Sequence, residues 1–262
     1  MEKIKSTGKC VFCNKEFSKA GIGKHLSAHL SENTMHKKAG KSYHVKIELS
    51  PRWGGGLHFL HLLIDGEMTF GDLDEFLREI WLECCGHMSA FRNPGLGRGG
   101  GWDLMDAYDL LNKGKTAEYE KIMEDAMGEI PKSRKTKDVF VKDLKLDYEY
   151  DFGSSTELQL TVIAEYPFVA NGIEILSRNE PLKLMCDKCH TKTAISICTV
   201  CWGYKDEGIF CAECAKKHRK ECSDFADYAK MRVVNSPRMG VCAYEGGTID
   251  KKRDGIYKIM EE

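Results

Sequence analysis

The sequence predicts an α+β protein in which a central sheet with packed helices is flanked by two small zinc-stabilised modules. Two observations carry this prediction. Several short stretches alternate apolar and polar residues, and one longer stretch repeats apolar residues at helical spacing, which is the pattern of strands combined with a helix. Twelve cysteines and histidines also stand at the spacings of zinc ligands, four near the N-terminus and eight between Cys186 and Cys222.

The N-terminal module has the spacing of a two-Cys two-His zinc finger that is one residue short in the middle. Phe17 and Ile22 stand where such fingers place their small apolar core, and Ser18 can cap the ligand-bearing helix. The predicted zinc ligands of this module are Cys10, Cys13, His25 and His29.

The same segment is strongly basic. Residues 1–46 contain ten lysines against three glutamates, a balance of +7, whereas the whole chain has a net charge of −1. Lys15, Lys19 and Lys24 flank or lie on the finger helix, so they could contact the phosphates of DNA or RNA. A single finger reads only about three base pairs, so such binding would be weak. A solvated basic face, or a finger that docks a protein, remains the alternative.

The C-terminal module consists of four ligand pairs, enough for two zinc ions. Three are C-x2-C pairs and the fourth is His-x3-Cys, whose members share one face of a helix. The predicted ligands are Cys186, Cys189, Cys198, Cys201, Cys211, Cys214, His218 and Cys222. In a cross-brace, the first and third pairs hold one ion, and the second and fourth hold the other. The ligand order resembles that of B-box and MYND modules, and this arrangement is favoured. Sequential pairing is the alternative.

These sites are expected to be structural, because protein ligands fill all four positions and a catalytic zinc keeps one open. A disulfide framework is the less favoured explanation of the cysteines. The N-terminus is polar and lacks the apolar region of a signal peptide, so a reducing cytoplasm is expected. No apolar run approaches the roughly 18 residues of a membrane span.

Along the central domain the elements follow in order. Strands are predicted at Tyr43–Leu49 and Leu57–Ile64, and Thr69 and Asp72 form a capping box for the next helix. Its apolar face should pack on a sheet that includes a hairpin of 146–151 and 157–165, with a further strand at 173–177. That face consists of Phe70, Leu73, Phe76, Leu77 and Ile80.

Other segments complete the organisation. Residues 103–128 are helical with a break near Gly114, and 226–231 could be helical. We divide the chain into a finger and linker (1–41), a central α+β domain (42–182, with 94–130 as an insertion), a two-zinc cross-brace module (183–225) and a tail packing back on the central domain (226–262).

Two further groups of reactive residues do not predict metal sites. His58 and His61 fall on opposite sides of a strand, so they are expected to be core or surface histidines. Adjacent Cys84 and Cys85 are poorly placed to bind one ion together, and no base for a nucleophile is evident from spacing. A structural role is therefore expected for them and for His87.

Three phrases carry a resemblance to a known family: WLECCGHMSAF at 81–91, YEYDFGSSTEL at 148–158 and NSPRMGVC at 235–242. They resemble the open-reading-frame-three family of the pRiA plasmid, whose members are also passenger proteins of bacterial insertion elements. The resemblance covers about residues 42–245 and is closest to the branch with a zinc module. It implies an α+β fold with a helix packed on a mixed or antiparallel sheet, and a prokaryotic mobile-element setting. The N-terminal finger and segment 94–130 depart from it, and no reaction can be transferred.

The sequence therefore predicts a non-enzymatic multi-zinc adaptor with three structural zinc ions, which contacts nucleic acid weakly through the finger, a protein partner, or both. An enzyme in the central domain is the alternative, as is a purely protein-binding module. The candidate residues for an enzyme are Cys84, Cys85, His87, Arg92 and Asp151. No membrane partner is expected.

Overall fold

The computed structural model describes residues 4–32, 38–51, 56–96, 104–205 and 207–254. Residues 33–37 of the expected linker, the glycine-rich stretch at 97–103 and the last eight residues lie outside the described residues. The strands are β1 (Thr7–Lys9), β2 (Glu16–Ser18), β3 (Ala39–Leu49), β4 (Phe59–Asp65), β5 (Ser89–Arg92), β6 (Glu129–Ile130), β7 (Lys145–Tyr150), β8 (Thr156–Phe168), β9 (Ile173–Arg178), β10 (Ser196–Cys198), β11 (Ile209–Phe210) and β12 (Lys230–Arg232).

The helices of the described chain are α1 (Lys19–Glu32), α2 (Phe70–Leu77), α3 (Leu104–Asn112), α4 (Thr116–Met127), α5 (Thr199–Lys205), α6 (Ala212–Glu221), α7 (Ser223–Asp227) and α8 (Lys251–Asp254). A π-helical turn at Arg78–Leu82 continues α2, and a 3-10 turn occupies Thr136–Asp138. Gly114 separates α3 from α4 with a positive φ of 73°, where a left-handed backbone ends a helix most easily with glycine.

A large antiparallel sheet forms the centre of the protein, in the order β6-β5-β7-β8-β3-β4-β9. The expected hairpin is confirmed, since β7 pairs with β8 in a register that places Tyr148 opposite Leu158. The α+β class is confirmed as well, and every pairing in this sheet is antiparallel.

One face of the sheet is covered by α2 and its π-helical continuation. The capping box is present, because Thr69 accepts a hydrogen bond from the backbone of Asp72 and the Asp72 side chain accepts one from Thr69 N–H. Phe70, Leu73, Leu77 and Ile80 are buried against the inward residues of the sheet, as predicted, whereas Phe76 is only partly buried.

The other face is covered by the finger helix α1. Ile22, Leu26 and Leu30 are fully buried against sheet residues such as Phe59 and Leu63. The finger hairpin also lies close to β9, and a Cβ on Gly8 would come within 2.7 Å of Ser177 Oγ and 2.9 Å of Arg178 O. The finger is therefore one layer of a helix–sheet–helix arrangement.

The C-terminal module has its own small sheet, in the order β11-β10-β12, with α5, α6 and α7 around it. Of the expected helix at 226–231, only Ala226 and Asp227 are helical, as the end of α7. Lys230–Arg232 is a strand because it pairs with β10, with Met231 opposite Ile197. A tertiary partner therefore decided this segment against its local helical tendency.

The segment after this module returns to the central domain. Arg178, which is fully buried, donates hydrogen bonds to Asp254 Oδ1 at 2.7 Å and Asn235 O at 2.8 Å. Ser236 Oγ donates to Trp81 O at 2.6 Å. These bonds hold 235–254 against β9 and the end of the π-helical turn.

Within the described ranges, no helix combines the length and the apolar character needed to cross a membrane.

Candidate metal centres

The finger brings its four candidate ligands together. Cys10 and Cys13 come from the turn after β1, and His25 and His29 project from α1 one turn apart. Their ligand atoms all lie within 4.8 Å of one another, with 3.2 Å between Cys13 Sγ and His25 Nε2. Phe17 stacks on the His25 ring with centroids 4.0 Å apart, which fixes the ring orientation.

The C-terminal module groups its ligands in the cross-brace manner. Each group again has its ligand atoms within 4.8 Å of one another. The first consists of Cys186, Cys189, Cys211 and Cys214, and the second of Cys198, Cys201, His218 and Cys222. Sequential pairing is excluded, because each group joins two ligand pairs that alternate along the chain.

Side chains around the second group hold His218 in place. His218 lies on α6, its ring stacks on Phe210 at 4.3 Å, and Phe225 approaches edge-on at 4.9 Å. Its Nε2 is 3.5 Å from Cys201 Sγ, which in turn is 3.9 Å from Cys222 Sγ. All three groups offer four protein ligands, as structural zinc sites do.

A further group that the sequence did not predict lies at the surface. Cys84, Cys85, His87 and Cys242, which we call the surface cluster, also have ligand atoms within 4.8 Å of one another. Cys85 and Cys242 are exposed, whereas Cys84 and His87 are half-buried. Cys85 Sγ is 3.0 Å from His87 Nε2 and 3.6 Å from Cys242 Sγ.

The expectation that Cys84, Cys85 and His87 have only a structural role is thus incomplete. Spacing could not reveal this group, because its fourth member lies 157 residues beyond Cys85. The sequence nevertheless contained a signal. The phrases at 81–91 and 235–242 contain all four residues of the surface cluster, and the phrase at 148–158 contains Asp151, which contacts His87. In the structure these phrases meet at one place.

Buried polar groups contact the surface cluster on the side that faces the protein interior. Arg238, fully buried, donates hydrogen bonds to Asp151 Oδ2 at 2.6 Å and to Cys84 Sγ at 3.5 Å, and lies over the Tyr150 ring. Burial would raise the pKa of Asp151, but the hydrogen bonds from Arg238 and from the backbone of Ser154 and Gly153 lower it below its usual value. Asp151 is therefore an anion held in a fixed position.

Of the candidates for an enzyme, four come together here and one does not. Asp151 Oδ1 lies 3.4 Å from His87 Nδ1, which extends the contact between His87 and Cys85. Arg92 pairs instead with Glu149 at 2.6 Å and lies over the ring of Phe152.

The three lysines chosen for nucleic-acid contact are not equivalent. Lys15 and Lys24 are exposed, and among the described residues neither makes an ion pair. Lys19 is half-buried, forms an ion pair with Glu48 at 2.8 Å and donates to Gly56 O at 2.7 Å. Lys19 therefore belongs to the contact between finger and sheet.

The histidines on the central sheet are neutral core groups. His44 Nε2 and His61 Nδ1 are 2.9 Å apart beneath α1, and Ser27 Oγ lies 3.3 Å from His44 Nδ1. Burial lowers the pKa of His44 to about 4, and burial followed by the nearby His44 and Lys46 lowers that of His61 well below its usual value. His58 lies just before β4 and is half-buried, and burial of its ring followed by the nearby Arg178 and Lys19 lowers its pKa to about 3.

Together the fold and these sites describe an α+β protein with a large antiparallel sheet and Cys/His clusters that can bind metal ions. No family model matches the chain, and no curated protein matches it. Among solved structures it is similar to a protein of unknown function, MM3350, from Methanosarcina mazei Go1, with 16% identity and a TM-score of 0.35. The match covers 53% of this chain and 68% of the other. Similarity at this level says nothing about what the chain does.

Proposed function

We propose that the protein is a zinc-dependent binding protein without catalytic activity, in which three structural zinc ions organise a finger and a two-zinc module around the central sheet. The observation that supports this proposal most is that each of these three groups closes four protein ligands around one point. Soft sulfur and imidazole donors in a four-membered set favour zinc among the common divalent ions.

Metal analysis of protein purified without added zinc tests the proposal. We expect at least three zinc ions per chain. Fewer than two, or disulfides among the twelve ligands of the finger and the C-terminal module, would contradict it.

The partner proposed for the finger is nucleic acid, bound weakly through phosphates. This proposal is supported by the basic balance of residues 1–46 and by the exposed Lys15 and Lys24. An ammonium group acts as a point charge and cannot make the bidentate contacts that distinguish bases. Little sequence preference and a steep loss of affinity with salt are therefore expected, with a log–log slope of about −0.9 per phosphate neutralised on duplex DNA.

The charge-reversal variant Lys15→Glu/Lys24→Glu should reduce affinity for every DNA and RNA sequence tested at low salt. Lys19 is left unchanged because its loss would disturb the contact with Glu48. The matched control is Lys142→Glu/Lys145→Glu, which changes the net charge equally at two exposed lysines near β7. Equal affinity of the two double variants would favour a protein partner instead. The mobile-element setting is a proposal that rests on the family resemblance alone.

A second candidate function is catalysis by a thiol. It is favoured by one observation, the continuous contact from Cys85 through His87 to Asp151, in which a histidine is oriented by a carboxylate and lies against a sulfur. A free nucleophilic thiol reacts rapidly with iodoacetamide, whereas a metal-bound thiolate is protected. Alkylation of Cys85 in the protein as purified would therefore support this candidate.

A further inference from the structure

We propose that the surface cluster is a fourth metal site, which takes a divalent ion of the zinc class and joins the C-terminal segment to the central domain. Its members come from the turn after the π-helical segment and from the tail, which the chain otherwise separates. It shares its three-cysteine, one-histidine composition with the second group of the C-terminal module, but it differs from all three structural sites in exposure and position.

The distances between sulfurs match a tetrahedral ion. With a zinc–sulfur bond of about 2.3 Å, two sulfurs on one tetrahedron stand about 3.8 Å apart. Cys84 Sγ and Cys85 Sγ are 3.7 Å apart, and Cys85 Sγ and Cys242 Sγ are 3.6 Å apart. The corresponding separation between Cys201 and Cys222 in the C-terminal module is 3.9 Å. The Sγ atoms of the adjacent Cys84 and Cys85 are thus placed so that both can bind one ion, although the sequence suggested that adjacent cysteines are poorly placed to do so.

The histidine is oriented as a metal ligand. His87 Nε2 faces the sulfurs, 3.0 Å from Cys85 Sγ and 3.2 Å from Cys242 Sγ. Its other nitrogen, Nδ1, lies 3.4 Å from Asp151 Oδ1. A ligating histidine commonly donates its second N–H to a carboxylate, which fixes the ring and increases its basicity. Asp151 is held by Arg238, so the ring position is fixed by a buried group.

The charges of the site are complementary. Three thiols lose their protons when they bind a divalent ion, so the loaded site carries one net negative charge. Arg238 Nη2 lies 3.5 Å from Cys84 Sγ, so its positive charge, which also pairs with Asp151, stands beside the thiolates on the side of the protein interior.

The backbone of the tail has an unusual conformation at its candidate metal ligand, Cys242. Cys242 and Ala243 both have positive φ, 47° and 55°, a conformation that non-glycine residues adopt at a cost. Coordination by Cys242 would offset this cost. Two of the four ligands are exposed, whereas no ligand of the other three groups is, so a chelator should remove this ion faster than the ions of those groups.

Metal content of the full-length protein and its Cys242→Ser variant is the first test. We expect four zinc ions per chain in the parent protein and three in the variant, since the other sites keep all their ligands. Met88→Ala is the matched control, because Met88 is exposed beside His87 but is not a member of the surface cluster, so this variant should keep four zinc ions. Hydrogen exchange should accelerate at 239–245 in Cys242→Ser and stay unchanged in the central sheet.

A chelator experiment on the parent protein avoids any effect of the substitution on folding. Excess 4-(2-pyridylazo)resorcinol should remove one zinc in a fast phase, and Cys85 and Cys242 should become reactive to iodoacetamide in the same phase. The fast phase should be absent from Cys242→Ser.

Three results would overturn the proposal: three zinc ions in both parent and variant, a Cys85–Cys242 disulfide in the protein as purified, or rapid alkylation of Cys85 while the zinc content stays constant. The last would support the thiol-catalyst candidate. Because the first result leaves the three structural ions in place, failure of the fourth site is distinguishable from failure of the proposed function.

Discussion

The finger and the C-terminal module use the same ligand chemistry in opposite structural settings. The finger buries one whole side of α1, including Leu26, against the central sheet. Half of the buried cluster in the C-terminal module consists of its own ligand cysteines, and the other half is Phe210, Phe225 and two alanines. The comparison teaches that two modules with similar ligand pairs need not depend equally on metal for their folding. Apolar burial stabilises the finger helix, whereas the proposed metal binding would supply much of the folding free energy of the C-terminal module.

The largest loss of stability should come from Cys201→Ser in the C-terminal module. Loss of one ligand would leave a charged, open site in a module in which half of the buried cluster consists of ligands. Zinc binding in small modules contributes about 10–16 kcal/mol at neutral pH. We expect rapid proteolysis within 186–222 and loss of at least one zinc per chain.

Cys13→Ser makes the matched comparison in the finger. It should also release a zinc, but α1 should keep most of its hydrogen-exchange protection because its buried face still lies on the sheet. Complete loss of protection in α1 would show that the finger depends on metal as strongly as the C-terminal module.

Leu26→Ala should have a smaller but clear effect, since it removes fully buried side-chain volume between α1 and the sheet. Large-to-small changes of this kind cost about 2–5 kcal/mol in unfolding free energy. Urea unfolding measures this cost, with Lys24→Ala on the exposed side of the same helix as control. A cost below about 0.5 kcal/mol, the usual range of surface substitutions, would mean that the finger helix is not a structural layer of the domain.

Acidification should lower the free energy of unfolding by a smaller amount, through His44 on the face of the sheet that the finger covers. The pKa of His44 is lowered to about 4 by burial, against about 6.5 when unfolded, so its contribution to stability is complete above pH 6.5 and is lost as the pH falls toward 4. Fully developed, the difference amounts to roughly 3 kcal/mol at 1.36 kcal/mol per pKa unit.

The measurement is the urea midpoint at pH 7.5 and pH 5.5. His44→Gln should lose less stability between these values than the parent chain, and Ser27→Ala, which keeps the titrating ring, should resemble the parent. Acid would also weaken metal binding at the proposed zinc sites in all three chains, so the difference between variants isolates the histidine. Identical pH dependence of all three would contradict the assignment.

Local patterns were enough to predict much of this protein. The capping box at Thr69, the alternation of Tyr43, Val45 and Ile47 and the 148–158 hairpin depend on residues near one another in the chain, so their physics is visible in the sequence. The C-x2-C pairs are equally local, because one tight turn presents both sulfurs. The α+β class and the candidate ligands followed from such patterns.

Only the tertiary structure decided how distant parts meet. It placed Cys242 beside Cys85, put Lys19 against Glu48, converted 230–232 into a strand and laid α1 on the sheet. Each of these outcomes depends on the path of the chain between residues far apart in sequence, and periodicity carries no information about that path. Spacing by itself therefore identified the twelve candidate ligands of the finger and the C-terminal module. Tertiary packing decided which candidate ligands lie together, and it added the surface cluster, whose members spacing could not connect.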